Sequence, residues 1–141
     1  MVIKELQSLN TEQIADLLNL MGQLSRSTEV TPQMLQQAAA CPDTHLFAAM
    51  EGGRIIGTAS LVILHQPTGT KGRIEDVVVS EAFRGQHIGR KLVEHLIDFA
   101  RKEFAPIQLQ LTSRPSREAA NRLYLSLGFE PYETNVYKLS L

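Results

Sequence analysis

A strand, a glycine-containing loop, a long amphipathic helix and a second strand follow one another between residues 73 and 112. The segment Arg73–Val79 is rich in β-branched residues, and the segment that begins at Ile88 carries its apolar side chains on one helical face. Residues 107–111 then alternate between apolar and polar. Because a strand–helix–strand connection within one sheet is a parallel, right-handed crossover, this run predicts an α/β protein.

The segments before this crossover predict two helices and a hairpin. Apolar residues at helical spacing predict a helix over residues 11–24, with Asn10 or Thr11 as its cap. Thr31 and the proline after it predict the start of a second, short helix that ends before Cys41. Two apolar runs, Leu46–Met50 and Arg54–Leu64, flank a pair of glycines and predict an antiparallel pair.

Three further segments complete the predicted order β-α-α-β-β-β-α-β-α-β. His65–Gly72 contains proline and glycine and predicts a loop, and the segment from Ser116 to Gly128 predicts a late helix. The tail, Tyr132–Leu141, has the residue types of a last strand. The sequence therefore predicts a single domain over residues 1–141, with a mixed central sheet flanked by helices.

Composition excludes several classes of function. Fourteen Lys and Arg against fifteen Asp and Glu give a net charge of −1, so no global positive field favours nucleic acid or an anionic membrane. The single Cys41 cannot form an internal disulfide, and the four histidines lack metal-ligand spacing. No apolar run reaches the length of a signal peptide or a membrane span. We expect a cytoplasmic protein without a metal.

The loop between the central strand and the long helix predicts an anion site. Gly85 and Gly89 permit close approach of the backbone, and the first N–H groups of a helix lack partners within it. Arg84, Arg90 and Lys91 add positive charge at the same point. The residues alone leave a second interpretation open, in which the glycine makes a turn beside a solvated helix end.

The same loop resembles the acetyl-CoA motif of the GCN5-related N-acetyltransferase (GNAT) family, Q/R-x-x-G-x-G/A after a strand. The matching residues are Arg84-Gly-Gln-His-Ile-Gly89, and the segments Asn121–Tyr124 and Leu127–Phe129 resemble the family's late helix and its ending. One position departs from the pattern, since His87 stands in place of the middle glycine. A right-handed helical conformation tolerates any side chain there, whereas a positive φ strains a histidine.

The resemblance implies acetyl-CoA as co-substrate and a GNAT-like fold with a β-α-β cofactor-binding core. The implied cofactor residues lie on the central strand, the loop, the helix start and the late helix: Val77, Val78, Val79, Arg84, Gly85, Gln86, His87, Ile88, Gly89, Arg90 and Asn121. The valines would pair with the pantetheine arm as an added strand, and the N–H groups from Gly85 to Arg90 would hold the pyrophosphate. Arg84 would fix the loop and Asn121 would contact the pantetheine.

Direct acetyl transfer to an alkylammonium needs a general base, because a lysine-type amine is protonated below a pKa of about 10.4. Glu75 is the first candidate and Asp76 the second, and both are candidate acceptor-binding residues. Adjacent strand residues point to opposite faces unless a bulge intervenes, and a bulge would also open space for the cofactor. The resemblance places Tyr124 by the sulfur, where it would protonate the leaving thiolate, and the Val78 N–H suits the developing oxyanion.

Each candidate also has a structural interpretation. Tyr124 lies on the apolar stripe of its helix, where a buried tyrosine is common. Glu75 and Asp76 can instead form ion pairs, with Arg73, Arg114 or Arg117 as partners. Three arginines near the start of the late helix can meet a phosphate of CoA or an acidic acceptor, or lie on a solvated face: Arg114, Arg117 and Arg122.

The expected function is N-acetylation of a primary amine, with an amino sugar, a polyamine or a peptide amine as acceptor. A similarity of the segment from Ile74 to Val79 to glucosamine 6-phosphate N-acetyltransferases points towards an amino sugar. The resemblance also implies a homodimer. Two alternatives remain: a CoA-sensing regulatory module that has no turnover, and a phosphate or nucleotide binder without thioester chemistry.

Overall fold

A five-stranded mixed sheet, with its strands side by side in chain order, is the centre of the first of two units in the computed structural model. The structure describes residues 1–24 and 29–141, divided into units Met1–Leu111 and Thr112–Leu141. The elements are β1 (Val2–Glu5), α1 (Thr11–Leu24), α2 (Pro32–Ala40), β2 (Thr44–Glu51), β3 (Arg54–Gln66), β4 (Gly69–Val79), a 3-10 turn (Glu81–Phe83), α3 (Ile88–Phe104), β5 (Gln108–Gln110) and α4 (Glu118–Ser126).

The strand pairing confirms the mixed sheet and its crossover. The pairs from β1 to β4 are antiparallel, and β4 and β5, which α3 connects, are parallel. The loop expected over His65–Gly72 is wrong, because β3 reaches Gln66 and β4 begins at Gly69, its partner in the register. The turn there takes only two residues, and pairing with the opposite strand holds polar residues extended that have little strand preference of their own.

The first two helices begin where the sequence predicts. The side chains of Asn10 and Gln13 each accept a hydrogen bond from the other's backbone N–H, at 2.8 and 3.0 Å, which closes a capping box on α1. The Thr31 hydroxyl accepts from the Met34 N–H at 3.2 Å and caps α2. These local bonds satisfy N–H groups that a helix start leaves without partners.

Both faces of the sheet are covered within the first unit. Leu46 of β2 lies in one core cluster with residues of α1 and α2. The next residue, Phe47, points to the other face, where its ring centroid is 5.1 Å from that of Phe99 on α3. A Cβ at Gly57 would lie 3.2 Å from the Leu92 side chain, so this glycine lets α3 approach the sheet closely. The helix α3 therefore packs directly on this face of the sheet.

The second unit contains α4, which ends before Gly128, a residue with a φ of 98°. The strand expected over Tyr132–Leu141 is wrong, since residues 129–141 form neither helix nor strand. A strand needs a neighbour for its backbone groups, and no strand of the described chain pairs with this segment. Among the described residues, no helix has the length and apolar character to cross a membrane.

Candidate functional site

The centre of the candidate site is the point where β4 and β5 part. The two strands pair over three positions, from Lys71 with Gln108 to Arg73 with Gln110. From that point β4 continues to Val79 along β3 alone, among the strands that the structure describes. Beyond Arg73, the edge of β4 that faced β5 therefore carries backbone N–H and C=O groups with which an extended ligand can pair.

A β-bulge lies on this part of β4. Thr58 pairs with Val78, and Ser60 pairs with Glu75. One residue of β3, Ala59, therefore lies opposite two residues of β4, Asp76 and Val77. Asp76 has a φ of 53°, a left-handed conformation that aspartate adopts more easily than most residues. The bulge expected as an alternative is thus present, and it changes the direction of the strand beside the opening.

The two candidate carboxylates differ in their surroundings. The Glu75 Oε1 atom is 2.7 Å from the Arg73 Nε, so the ion pair with Arg73 that the sequence leaves open is present for this residue. Among the described residues, no cationic side chain forms an ion pair with Asp76. Desolvation raises the pKa of Asp76 above its ordinary value of 3.8, and the negative charge of Glu75 raises it further. Asp76 therefore binds a proton more readily than an ordinary aspartate.

A 3-10 turn and a short loop connect β4 to α3. The Glu81 N–H donates to the Gln23 Oε1 of α1 at 3.1 Å, which ties the turn to the first helix. The Arg84 Nε donates to the Val79 carbonyl at 3.3 Å, so the side chain spans the loop back to the strand. Gly85 follows with a φ of 81°, which a glycine adopts without a Cβ penalty.

The helix α3 opens towards this loop. Its first backbone bond runs from the Lys91 N–H to the His87 carbonyl at 3.0 Å, so the N–H groups at the helix start have no partners within the helix. A Cβ at Gly89 would lie 3.7 Å from a Val79 methyl group, an ordinary contact. The Arg90 Nε is 2.9 Å from the Glu94 Oε1, which reduces the positive charge that Arg90 offers to an anion.

Of the two conformations considered for His87, the residue adopts the one with a positive φ, which strains its side chain. Its φ is 62° and its ψ is 22°, so the residue before α3 is left-handed and its side chain makes no capping bond. The middle glycine of the family motif has no such penalty. The backbone therefore keeps a conformation suited to glycine, with a histidine in it.

We expect His87→Gly to raise the free energy of unfolding by about 0.5–1 kcal/mol, because glycine has no Cβ to strain in this conformation. Urea denaturation measures the change, with His87→Ala as the control, since alanine keeps the Cβ and should gain nothing. Equal gains from both substitutions would show that the imidazole itself is unfavourable and would contradict an origin in the backbone.

The second unit carries the other two predicted site residues. Tyr124 is 6% exposed, and burial raises its pKa above the ordinary value of 10.0, although the Arg117 guanidinium, by its charge and a hydrogen bond, opposes the rise. Its ring centroid is 6.1 Å from that of Phe129. The Asn121 Nδ2 donates to the Arg114 carbonyl at 3.1 Å, so one side of this amide already has a structural partner.

Sequence reasoning missed two features of the candidate site. It gave no partner to Tyr124, whereas Arg117 lies seven residues earlier, which is two helical turns and hence on the same side of the helix start. It also left the positions of Glu75 and Asp76 in the bulge open. The available signal was the residue type, because aspartate tolerates a positive φ better than glutamate.

This chain is similar in sequence and in structure to known acetyltransferases. The Acetyltransferase (GNAT) family matches residues 11–129. N-alpha-acetyltransferase RimI of Mycobacterium tuberculosis is 30% identical over 99 residues, which are 70% of this chain and 60% of that protein. Glucosamine 6-phosphate N-acetyltransferase of Trypanosoma brucei brucei is 32% identical over 142 residues, with 92% of this chain and 90% of that protein covered. A solved structure from Agrobacterium tumefaciens, described as a candidate acetyltransferase, superposes with a TM-score of 0.84 at 26% identity, over 99% of this chain and 100% of that one.

The mixed sheet, in which β4 and β5 separate after three paired positions, and these matches together define the class of protein. It is an N-acetyltransferase that uses acetyl-CoA as co-substrate. The chain belongs to the GNAT family of acetyltransferases, and the GNAT-like α/β fold expected from its sequence is confirmed.

Proposed function

We propose that this chain is a cytoplasmic, single-domain enzyme that transfers the acetyl group of acetyl-CoA directly to the primary amine of a small phosphorylated amino compound. The proposal depends on the edge of β4 beyond Arg73, which no strand of residues 1–24 and 29–141 covers. This edge leads through the Arg84–His87 loop to the start of α3. A strand edge that continues into a helix N-terminus suits a ligand with an extended amide arm and a pyrophosphate at its end.

Different residues along this edge bind different parts of the cofactor. The backbone of Val77, Val78 and Val79 pairs with the pantetheine arm, and the N–H groups of the loop and the helix start hold the pyrophosphate. Arg84 acts mainly through the Val79 carbonyl, which keeps the loop against the strand. Asn121 contacts the pantetheine through its amide oxygen, because its nitrogen donates to the Arg114 carbonyl.

Asp76 is our preferred general base, ahead of Glu75. A base must be unpaired and basic enough to take a proton from the acceptor ammonium, directly or through water. The carboxylate of Glu75 is held by Arg73 at 2.7 Å, whereas the pKa of Asp76 is raised by desolvation and by the Glu75 charge. Glu75 then serves the reaction indirectly, because its charge makes the neighbouring carboxylate more basic.

The transfer needs no acyl-enzyme. The deprotonated amine attacks the thioester carbonyl carbon, and the Val78 N–H stabilises the oxyanion of the tetrahedral intermediate. The carbon–sulfur bond then breaks, and Tyr124 protonates the thiolate as it leaves. The nitrogen loses its second proton as the amide forms, and this proton restores the Tyr124 phenol. The products are the N-acetyl amide and CoA, and the proton that Asp76 accepted returns to solvent.

The extent of the two relatives' matches supports the proposed acceptor class. The similarity to glucosamine 6-phosphate N-acetyltransferase extends over 92% of this chain, and the similarity to RimI over 70%. Because the acceptor side of the enzyme includes segments outside the cofactor motif, the longer match favours an amino sugar phosphate. A peptide α-amine, which the RimI match supports, is the second candidate.

Calorimetric titration with acetyl-CoA, CoA and 3′,5′-ADP tests the cofactor site first. We expect acetyl-CoA and CoA to bind much more tightly than 3′,5′-ADP, since only they carry the pantetheine arm. A panel of amines, with release of the CoA thiol as the readout, then tests the acceptor. Binding without turnover on any amine would favour a CoA-sensing module, and equal binding of all three ligands would favour a nucleotide binder.

Arg84→Glu should weaken acetyl-CoA binding by about tenfold to a hundredfold, because it removes a charge-assisted bond to the Val79 carbonyl and places a negative charge beside the pyrophosphate. The dissociation constant measures the effect, and an unchanged circular dichroism spectrum confirms folding. Lys102→Glu at the far end of α3 makes the same change in net charge and should leave binding unaltered. Unchanged affinity in Arg84→Glu would refute this position for the pyrophosphate.

A further inference from the structure

The helix α1 is attached to the sheet through polar side chains as well as apolar ones. The carboxylate of Asp16, a buried residue, accepts hydrogen bonds from the Arg54 guanidinium and, at 3.0 Å, from the Ile55 N–H at the start of β3. Gln23 lies seven residues later, which is two helical turns and hence the same face of α1. Its Oε1 accepts from the Glu81 N–H at 3.1 Å, just beyond the end of β4. Both contacts therefore lie at the end of the sheet from which the loop to α3 departs.

The Gln23 bond is an anchor of the 3-10 turn and of the loop before α3. The Ser80 N–H makes the last bond to the sheet, to the Ile56 carbonyl at 2.8 Å. Backbone bonds inside the turn close it on itself, and the Arg84 side chain returns to β4. Among the described residues, Gln23 is thus the one side chain from outside residues 79–91 that hydrogen-bonds to the turn or the loop.

The turn has no cap of its own. Ser80 stands at its N-cap position, and the side chain of this serine makes no capping bond. Two residues of the loop that follows have left-handed backbones, with a φ of 81° at Gly85 and of 62° at His87. A histidine persists in such a conformation only where the surrounding structure holds it there. Gln23 therefore supplies from α1 the hydrogen bond that the first N–H of the turn needs.

We propose that Gln23 is a positioning residue for acetyl-CoA: its side chain holds the turn so that the loop before α3 keeps the conformation that binds the pyrophosphate. This inference deepens the proposed function and rests on it, because it takes the pyrophosphate to lie at that loop. A loop that already has its bound conformation loses less conformational entropy when the ligand arrives. The bond to Glu81 therefore contributes to cofactor affinity although Gln23 itself does not touch the cofactor.

Calorimetric titration with acetyl-CoA tests this role in Gln23→Met. Methionine has a similar length and a similar helix preference, and it removes the acceptor. We expect the dissociation constant to rise about threefold to tenfold. With the most active amine of the panel, kcat at saturating acetyl-CoA should stay unchanged, because Gln23 acts on the loop and not on the groups assigned to proton transfer.

Gln36→Met is the matched control. The Gln36 Nε2 donates to the Leu9 carbonyl at 3.0 Å, so the same substitution removes a bond between a glutamine side chain and the backbone away from the turn. It should leave the dissociation constant for acetyl-CoA unaltered. A bond that only fastened α1 to the sheet would behave in the same way, with an effect on stability alone.

A second substitution, Glu81→Pro, removes the N–H that Gln23 binds. Proline suits the first position of a helical turn, and Ser80 before it has a ψ of 136°, within the extended range that a following proline requires. If Gln23 acts through this N–H, Gln23→Met should weaken binding in the wild-type chain and have no further effect in Glu81→Pro.

Hydrogen exchange on the free proteins gives a result that does not depend on the folding of Glu81→Pro. The amides of residues 81–84 should exchange faster in Gln23→Met than in the wild-type chain, while those of the sheet exchange at the same rate. Equal exchange of residues 81–84 in the two proteins would overturn the proposal.

Two binding results would also overturn it. The first is an unchanged dissociation constant in Gln23→Met. The second is an equal loss of affinity in the Glu81→Pro chain, which would assign the effect to the packing of α1. Failure of the proposed function itself has a different signature, because the wild-type chain would then not bind acetyl-CoA, or Arg84→Glu would bind it as tightly as the wild type. Either of these would overturn both.

Discussion

Tyr124→Phe should lower kcat by about a hundredfold to a thousandfold and leave the dissociation constant for acetyl-CoA unchanged. The substitution keeps the aromatic ring, which is 6% exposed and packs near Phe129, and removes only the hydroxyl. A role in transition-state proton transfer affects the rate of the chemical step, whereas a packing role affects stability. The separation of kcat from cofactor affinity is therefore the informative result.

The surroundings of Tyr124 suit an acid. Burial raises the pKa of its phenol above 10.0, so the group carries its proton at neutral pH. The Arg117 guanidinium opposes this rise and stabilises the phenolate that remains once the thiolate has taken the proton. Arg117 is a positioning residue in this scheme, and Arg117→Ala should also lower kcat, by less than Tyr124→Phe.

Thiol release under saturating substrates measures kcat, and calorimetry measures cofactor binding. Tyr132→Phe removes the same hydroxyl from a tyrosine that is 65% exposed, and it should have no effect on the rate. A Tyr124→Phe enzyme with normal kcat would show that water or another group protonates the thiolate. A normal kcat with lower stability would assign the hydroxyl to packing alone.

The sequence was sufficient for elements whose signals are local. The capping pairs at Asn10 and Thr31 lie within three residues of their partners, and the apolar stripe of α3 needs only the helical period. The glycine-containing loop before α3 was predictable for the same reason, since Gly85 and the helix start adjoin in the chain. These features depend on neighbours along the sequence and not on the sheet.

Features that depend on neighbouring strands were not predictable in the same way. The extension of β3 and β4 to a two-residue turn comes from mutual pairing of polar residues, and the register shift that produces the bulge is a property of both strands. The left-handed conformation of His87 was left open because the residue type opposes it. The tail has strand-forming residues, but a strand also requires a partner, and no strand of the described residues pairs with this segment.

Asp76→Asn should lower kcat/KM by about a hundredfold or more while raising stability at neutral pH. The rate falls because the amide cannot accept a proton. The fold tolerates the change, since asparagine adopts the φ of 53° at this position at least as well as aspartate. Substitution of a residue with a purely structural role would lower the stability of the protein. A lower kcat/KM together with a higher stability would therefore indicate that Asp76 acts in the reaction.

The sign of the stability change follows from proton linkage. The pKa of Asp76 is 3.8 in its ordinary setting and higher in the folded chain, through desolvation and the Glu75 charge. Between these two values the folded state binds more protons than the unfolded state, so stability falls as pH rises through that window. Above the window the loss stays constant, and an uncharged asparagine does not incur it. Urea denaturation of both proteins at neutral pH and near pH 4 measures the difference, which should shrink in acid.

Glu75→Gln separates the two carboxylates. It removes the negative charge that raises the pKa of Asp76, so the acid limb of the pH profile of kcat/KM should move to lower pH while the rate at neutral pH changes far less than in Asp76→Asn. If Glu75→Gln instead abolishes the rate and Asp76→Asn does not, the base is Glu75, despite its ion pair with Arg73 at 2.7 Å. The raised pKa of Asp76 would then be a consequence of the bulge that opens the cofactor edge, with no part in proton transfer.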